Sequence, residues 1–142
     1  MKPFRLENVA RVRQMEEDQA AAELLRRREF RRTADQRSAQ ANAALEGAAL
    51  PDAADVLRWQ AAVAARVAAS ATAIEAATVA ELAQSDELVA QGHWSAARRR
   101  TTTIDKLAER HRFAEQAAEN HAEQLTLDEV AAQRARNQGR AQ

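Results

Sequence analysis

The chain has 142 residues with 21 basic and 21 acidic side chains, three glycines, two prolines and no cysteine. The balanced charge argues against a nucleic-acid-binding protein, which typically carries a strongly basic surface, and the lack of cysteine excludes disulfides and thiolate metal sites. Alanine, about a quarter of the chain, supplies most of the apolar content. The sequence therefore favours long helices or a coiled coil over a thick globular core.

The length suggests a single domain over residues 1–142. The opening stretch, MKPFRLENVA, is too polar for a signal peptide, and no run of 18 apolar residues occurs. We therefore expect a cytoplasmic protein with no direct insertion into a membrane.

Two helices are predicted, separated by the one dense cluster of helix breakers. Helix formers run from about residue 4 to 46, and the stretch EGAALPDAAD follows. Residues 47–52 are predicted to form the turn, with Gly47 ending the first helix and either Asp52 or Asp55 capping the second. The second helix is predicted over about 53–136, and residues 137–142 are expected to fray.

The larger apolar residues of the second helix predict its packing face. One stripe of near-heptad period contains Val56, Val63, Val67, Ile74, Ala77 and Leu88. A second stripe, with alternating three- and four-residue steps, contains Ile104, Leu107, His111, Ala114, Ala118, His121 and Leu125. Because Leu88 and Ile104 are 16 residues apart, which is not a multiple of seven, the stripe is expected to change phase near Gly92.

The predicted fold is all-α: a long antiparallel two-helix coiled coil, or α-hairpin, with a longer second helix. Equal rises along both helices from a turn near residue 50 pair residue i with about 100 − i, which places Val12 near Leu88. Residues 97–136 would then overhang as a helix about 60 Å long. Such a helix is stabilised mainly by packing its amphipathic face, so we expect its partner to lie outside this chain.

A spectrin-like three-helix bundle, broken near Gly92 into segments of about 40 residues, is the alternative fold. We favour a continuous second helix, because one glycine costs a helix only about 1 kcal/mol. No proline or Asp-Gly turn accompanies Gly92.

The sequence carries no pattern typical of an enzyme. Its three isolated glycines cannot form a phosphate-binding loop, and a two-helix hairpin offers no concave cavity for catalysis. His111 and Glu115 are one turn apart, a spacing that zinc sites use, but no third ligand lies close in sequence. We interpret them as seam or interface residues and expect no enzymatic activity, no cofactor and no metal.

Two arginine clusters and two tryptophans leave alternatives open. The clusters lie in the stretches LLRRREFRR, around Phe30, and SAARRRTTT. We interpret them first as solvated surface with Glu–Arg pairs along one helix, with docking on an acidic protein as the alternative. Trp59 covers the turn and Trp94 packs near Phe4, or both anchor an interface with a partner.

Three parts of the sequence carry a resemblance to a known family. The start, FRLENVARVRQMEEDQAAAEL, has a Phe-x-Leu opening followed by arginine and a glutamate-rich helix; Trp59 follows the turn, and Trp94 precedes an arginine run. A closing pattern falls on Leu107, Glu109, Arg110, Asp128, Glu129, Ala131 and Arg134. In these features the chain resembles the FliJ family of the bacterial flagellar export apparatus.

The resemblance implies an antiparallel coiled coil similar to the central stalk (gamma) subunit of rotary ATPases, whose longer C-terminal helix projects into a ring of ATPase subunits. It implies a component of the flagellar type III protein export apparatus, peripherally associated with the cytoplasmic face of the cell membrane. The implied partners are the flagellar export ATPase ring, the cytoplasmic domain of the export gate membrane protein, and the export chaperones that it helps to recycle.

Partner-binding residues are predicted from the overhang geometry. Those predicted for the ATPase ring are Ile104, Leu107, Ala114, Ala118 and Leu125. Those predicted for the gate or the chaperones, nearer the turn, are Trp59, Val63 and Val67. Two other functions remain open: a self-associating coiled-coil scaffold whose overhanging helices pair, and a stalk protein of a virulence type III secretion system.

Overall fold

A computed structural model of the chain describes residues 6–140, with side chains through residue 137. It contains two helices, α1 (Glu7–Gly47) and α2 (Val56–Arg140), which pack against each other, and α2 is the longer. The predicted all-α hairpin is confirmed. Helix α1 ends close to the expected position, whereas the connection covers residues 48–55 and α2 begins three residues later than expected.

The start of α2 is set by a side-chain cap. The Asp55 carboxylate accepts a hydrogen bond from the Arg58 backbone N–H at 2.8 Å, and the Asp55 carbonyl accepts one from the Trp59 N–H at 2.9 Å. This is the geometry of an N-cap residue, which satisfies amide groups that the first turn of a helix leaves without a partner. Of the two aspartates that the sequence offered, Asp55 is therefore the cap.

The chain divides into two compact units. The hairpin unit, residues 15–98, contains most of α1, the connection and the first half of α2. The terminal unit contains residues 1–14 and 99–142.

The seam of the hairpin unit is built mainly from alanine. Its buried apolar residues are Leu24, Ala34, Ala41, Ala73, Ala83, Ala90 and Ala97. Along both helices the less exposed positions recur in steps of three and four, as in a coiled coil. Alanine side chains let two helix backbones approach closely, so these residues form the seam although each buries little apolar area.

The predicted aliphatic stripe is not this seam, and the sequence-based expectation was wrong. Its large members, Val56, Val63, Val67, Ile74 and Leu88, are all exposed. Ala77, its small member, is half-buried. The predicted stripe and the observed seam occupy different faces of α2, because the alanine positions have their own heptad spacing, offset from that of the valines.

The register of the two helices also differs from the expected one. Contacts that cross the hairpin unit join Arg27 to Asp86, Glu17 to Arg98, and the Ala48 carbonyl to Arg66. These pairs place residue i of α1 opposite about 114 − i of α2, not 100 − i, which is a displacement of about four helical turns. The difference arises at the connection between the helices. Arg66 lies level with Ala48, so about the first ten residues of α2 extend past the end of α1.

Helix α2 continues through Gly92 without a break. The less exposed positions 83, 87, 90, 94 and 97 keep their alternating steps across this glycine. The expected phase change was therefore wrong, because it was deduced from the aliphatic stripe. The three-helix alternative, which needed the chain to fold back here, is excluded.

In the terminal unit, α1 still accompanies α2 beyond residue 97, where the overhang was expected to begin. Thr101 is buried, and its hydroxyl donates a hydrogen bond to the Arg13 carbonyl at 3.2 Å. Half-buried positions continue at 104, 108, 111 and 115, and every side chain from 116 to 137 is exposed. The uncovered part of α2 is therefore shorter than expected, as the changed register requires. The helix extends to Arg140, past the expected fraying point, and residues 141–142 lie outside the described residues.

Helix α2 also includes an 18-residue window with a mean hydropathy of 1.3 and at most two charged residues. By length and composition this window is apolar enough to cross a membrane, and 6% of it is buried. Core helices and signal sequences meet the same criterion, so one such window is weak evidence for a membrane span.

Candidate interaction surfaces

An ion-pair network joins the two helices in the middle of the hairpin unit. We call Arg27, Arg28, Arg31, Asp86 and Glu87 the charge cluster. Arg27 Nη1 lies 2.9 Å from Asp86 Oδ2. Arg31 Nη1 lies 2.9 Å from Glu87 Oε2, and Arg28 Nε lies 3.3 Å from Glu87 Oε1. Both oxygens of Glu87 are thus bound by arginines of the opposite helix.

Within the charge cluster, the contact between Glu87 and Arg31 favours the charged forms of these two groups. The hydrogen bond from Arg31, followed by its positive charge, lowers the pKa of the Glu87 carboxyl, and Arg28 adds to the effect. The same Glu87 hydrogen bond raises the pKa of Arg31. The Glu87 side chain is only 14% exposed, so its carboxylate depends on these arginines for the hydrogen bonds that water would otherwise supply.

A second cross-helix contact lies near the end of the hairpin unit. Arg98 Nη1 lies 3.2 Å from Glu17 Oε1, and the Glu17 side chain is 12% exposed. The Arg98 guanidinium also lies 5.7 Å from the centre of the Trp94 ring, a cation–π distance. Trp94 is half-buried, while Phe4, its expected neighbour, lies outside the described residues.

The first interpretation of the arginine clusters, with Glu–Arg pairs along one helix, is correct in part. Pairs within one helix do occur, since Glu23 binds Arg26 at 2.6 Å and Arg27 at 2.7 Å. These hydrogen bonds, Arg26 first, lower the pKa of Glu23. The same run also binds the opposite helix of its own chain, which neither interpretation foresaw. The signal was present as the adjacent acids of SDEL, residues 85–88, but the wrong register placed the arginines against alanines.

The residues predicted to bind the gate or chaperones lie at the surface of the first turns of α2. The Trp59 side chain is 44% exposed, Val63 is 37% exposed and Val67 is 64% exposed. Val56 and Leu57, immediately before them, are also exposed. The helix start that Asp55 caps therefore presents several large apolar side chains to solvent.

The residues predicted to bind the ATPase ring differ in their exposure to solvent. Ile104 is half-buried among the less exposed positions of the terminal unit, whereas Leu107, Ala114, Ala118 and Leu125 are exposed. Leu107 and Leu125 are 18 residues apart, or about five helical turns, so they lie on one side of α2. Sequence reasoning missed three further exposed apolar residues of this segment, which are Phe113, Leu127 and Val130.

No group of three or more His, Asp or Glu side chains comes together as a metal site within the described residues. His111 and Glu115, which have the one-turn spacing, are both half-buried. The described surfaces thus consist of open apolar faces and ion pairs, which are suited to protein contacts.

Comparison with known proteins identifies one family. The family model of the flagellar FliJ protein matches residues 1–140, nearly the whole chain. Neither the search of curated proteins nor the search of solved structures found a match.

Proposed function

Because this chain belongs to the FliJ family of flagellar proteins and is thus a component of the flagellar export apparatus, we propose that it engages the export ATPase ring with the uncovered part of α2. We further propose that it contacts the cytoplasmic domain of the export gate and helps to recycle export chaperones. The family is a structural component of export and not an enzyme family. In this proposal the protein acts without a cofactor and is associated with the cytoplasmic face of the membrane.

The observation that carries the proposal is the exposure of every side chain from residue 116 to 137 within one helix. A helix in water obtains most of its stability from packing an apolar face, and the described residues of this chain do not cover the segment. A ring of ATPase subunits would supply the missing surface.

The proposed ring-binding face is the side of α2 that carries Ala118 and Leu125 in the uncovered segment, together with Leu107 and Ala114, which are exposed just before it. Its small residues allow the helix to fit a narrow opening, and its two leucines give about 1.5–3 kcal/mol each when fully buried. Ile104 is half-buried already, so it contributes less to this face than the four exposed residues.

The proposed site for the gate or chaperones is the start of α2, around Trp59, Val63 and Val67. Tryptophan is a common anchor of protein interfaces, and Trp59 is surrounded in sequence by exposed aliphatic residues. The two proposed sites lie in different units of the chain, so variants can test them one at a time.

The test for the first site measures ATP turnover and ring assembly of the purified export ATPase with and without the full chain. We expect the wild type to raise both, and Leu107→Asp/Leu125→Asp to lower the gain at least about tenfold, because aspartate cannot be buried without a partner. Circular dichroism checks that the variant stays helical.

The control is Leu82→Asp, since Leu82 is an exposed leucine of the hairpin unit. This variant should stimulate the ATPase as the wild type does. If the wild type leaves ring assembly and turnover unchanged, the proposal fails. A stable dimer at micromolar concentration by light scattering would favour the self-associating scaffold instead, and the family match favours a flagellar over a virulence apparatus.

A further inference from the structure

We propose that the charge cluster is a register lock: it holds the hairpin unit in one of several alignments that the alanine seam permits. When the lock is released, α1 slides along α2 by one heptad, a distance of about 10 Å. This inference does not depend on the proposed partners. Because both helices continue into the terminal unit, the slide also breaks the hydrogen bond from Thr101 to the Arg13 carbonyl.

Packing in the alanine seam gives little energetic preference for one alignment over another. Ala34 and Ala41 are buried in α1 and are seven residues apart, as are Ala83, Ala90 and Ala97 in α2. In a coiled coil a slide of seven residues returns the same positions to the seam. Ala34, which the observed register places opposite Ala80, would then face Ala73, and alanine would again meet alanine. Small side chains also make few interlocking contacts across the seam, so steric clashes oppose the slide only weakly.

The connection between the helices permits this slide in one direction. Arg66 binds the Ala48 carbonyl at 3.1 Å, so the start of α2 at Val56 lies about 15 Å beyond the end of α1. The eight residues 48–55 can span at most about 26 Å. One slide shortens the gap to about 5 Å, whereas the opposite slide stretches the connection to its limit.

The charges distinguish the two alignments. In the observed register Glu87 binds Arg28 and Arg31, Asp86 binds Arg27, and Glu17 binds Arg98. After the slide, Glu87 would face Ala20 and Glu17 would face Ala90. Both glutamates are largely covered in the seam, at 14% and 12% exposure. Leaving such carboxylates without their arginines is costly, because a covered charge loses both water and its partner.

The charge cluster and the Glu17–Arg98 pair therefore distinguish between alignments that the alanines do not. A single polar residue in the seam of a coiled coil specifies register in the same way. Here the specifying groups lie at two levels, around Glu87 and around Glu17, so a slide disrupts both at once.

The test uses disulfide trapping in the full chain, which has no native cysteine. Ala41→Cys/Ala73→Cys reports the observed register, and Ala34→Cys/Ala73→Cys reports the slid one. A disulfide needs Cα atoms about 4.4–6.8 Å apart, so each pair closes in its own register only. Each pair is placed in the wild-type background and in Glu17→Gln/Asp86→Asn/Glu87→Gln.

We expect the wild type to form the 41–73 disulfide alone. In the neutralised background the 34–73 disulfide should rise at least about tenfold over the wild-type level, as a relative loss of about 1.4 kcal/mol produces. The single variant Glu87→Gln keeps the other ion pairs and should raise the 34–73 disulfide by a smaller factor. It tests the proposal even if the triple variant loses its helicity.

The matched control is Glu29→Gln, which removes an ion pair with Arg32 of 3.0 Å within α1 and no cross-helix contact. It should leave the 34–73 disulfide at the wild-type level. A 34–73 disulfide that stays at the wild-type level with Glu87→Gln and with the triple variant overturns the proposal. A rise of equal size with Glu29→Gln also overturns it, because the effect would then be loss of charge in general.

Discussion

The Arg31 guanidinium of α1 lies 2.9 Å from the Glu87 carboxylate of α2, and the two residues are 56 apart in the sequence. Arg28 approaches the other carboxylate oxygen of Glu87 from the same helix. This glutamate is the point at which the arginine run of α1 meets the acidic pair of α2.

Glu87 is expected to make the stability of the protein depend on pH in the acidic range. Its folded-state pKa lies below the ordinary value of 4.5 because of the Arg31 hydrogen bond. The resulting stabilisation is present above the unfolded pKa and is lost as the pH falls through the folded one. We expect the melting temperature of the wild type to fall more steeply below about pH 4.5 than that of Glu87→Gln. Glu29→Gln should keep the wild-type steepness, and equal slopes in all three proteins would contradict the prediction.

Removal of the Asp55 cap should destabilise the start of α2. Asp55→Ala deletes the carboxylate that binds the Arg58 N–H, and we expect a loss of about 1 kcal/mol. Chemical denaturation followed by circular dichroism measures it. Asp52→Ala, in the exposed connection, serves as the control and should change stability by less than about 0.5 kcal/mol. Equal losses would show that Asp55 does not act as the cap.

Gly92 is expected to make α2 less stable than alanine would at the same position. A Cβ placed there meets nothing within 4 Å, and the residue lies inside a continuous helix. Gly92→Ala should therefore stabilise the protein by about 1 kcal/mol. Gly47→Ala, also in open space but at the end of α1, should give a smaller gain in the same thermal melt. A loss of stability with Gly92→Ala would mean that this position requires glycine.

Thr101 is a buried polar residue of the terminal unit, at 6% exposure. Thr101→Val keeps the shape of the side chain and removes its hydrogen bond to the Arg13 carbonyl. We expect a cost of about 0.5–1.5 kcal/mol in denaturant unfolding. Thr103→Val, which removes an exposed bond to the Arg99 carbonyl of its own helix, should cost less than Thr101→Val. The reverse order would contradict a role for Thr101 in joining α1 to α2.

Local features of the sequence predicted much of this fold. Two long helices, a break after Gly47, a cap at one of two aspartates and a longer second helix all follow from residues close together in the chain. The proposed interface residues Trp59 and Leu125 were also found to be exposed, as surface contacts require. Whether they bind the gate and the ring stays a prediction.

The packing face and the register were not predicted correctly. The valines of α2 were assigned to the seam because large aliphatic residues usually occupy it, yet Ala83 and Ala90 occupy it here. The expected register differed from the observed one by about two heptads, a displacement that leaves alanine facing alanine. The positions of opposite charges indicate the observed register better than the valines do, since Arg27 and Asp86 bind only in that alignment.

Helix propensity, capping and chain breaks depend on neighbouring residues, so the sequence alone was enough to predict two helices of unequal length joined as a hairpin. The packed molecule was needed to show which face each helix buries, which residues lie opposite each other, and how much of α2 stays uncovered. In an alanine-rich chain many alignments bury similar small areas, so the choice between them depends on a few charges from distant parts of the chain.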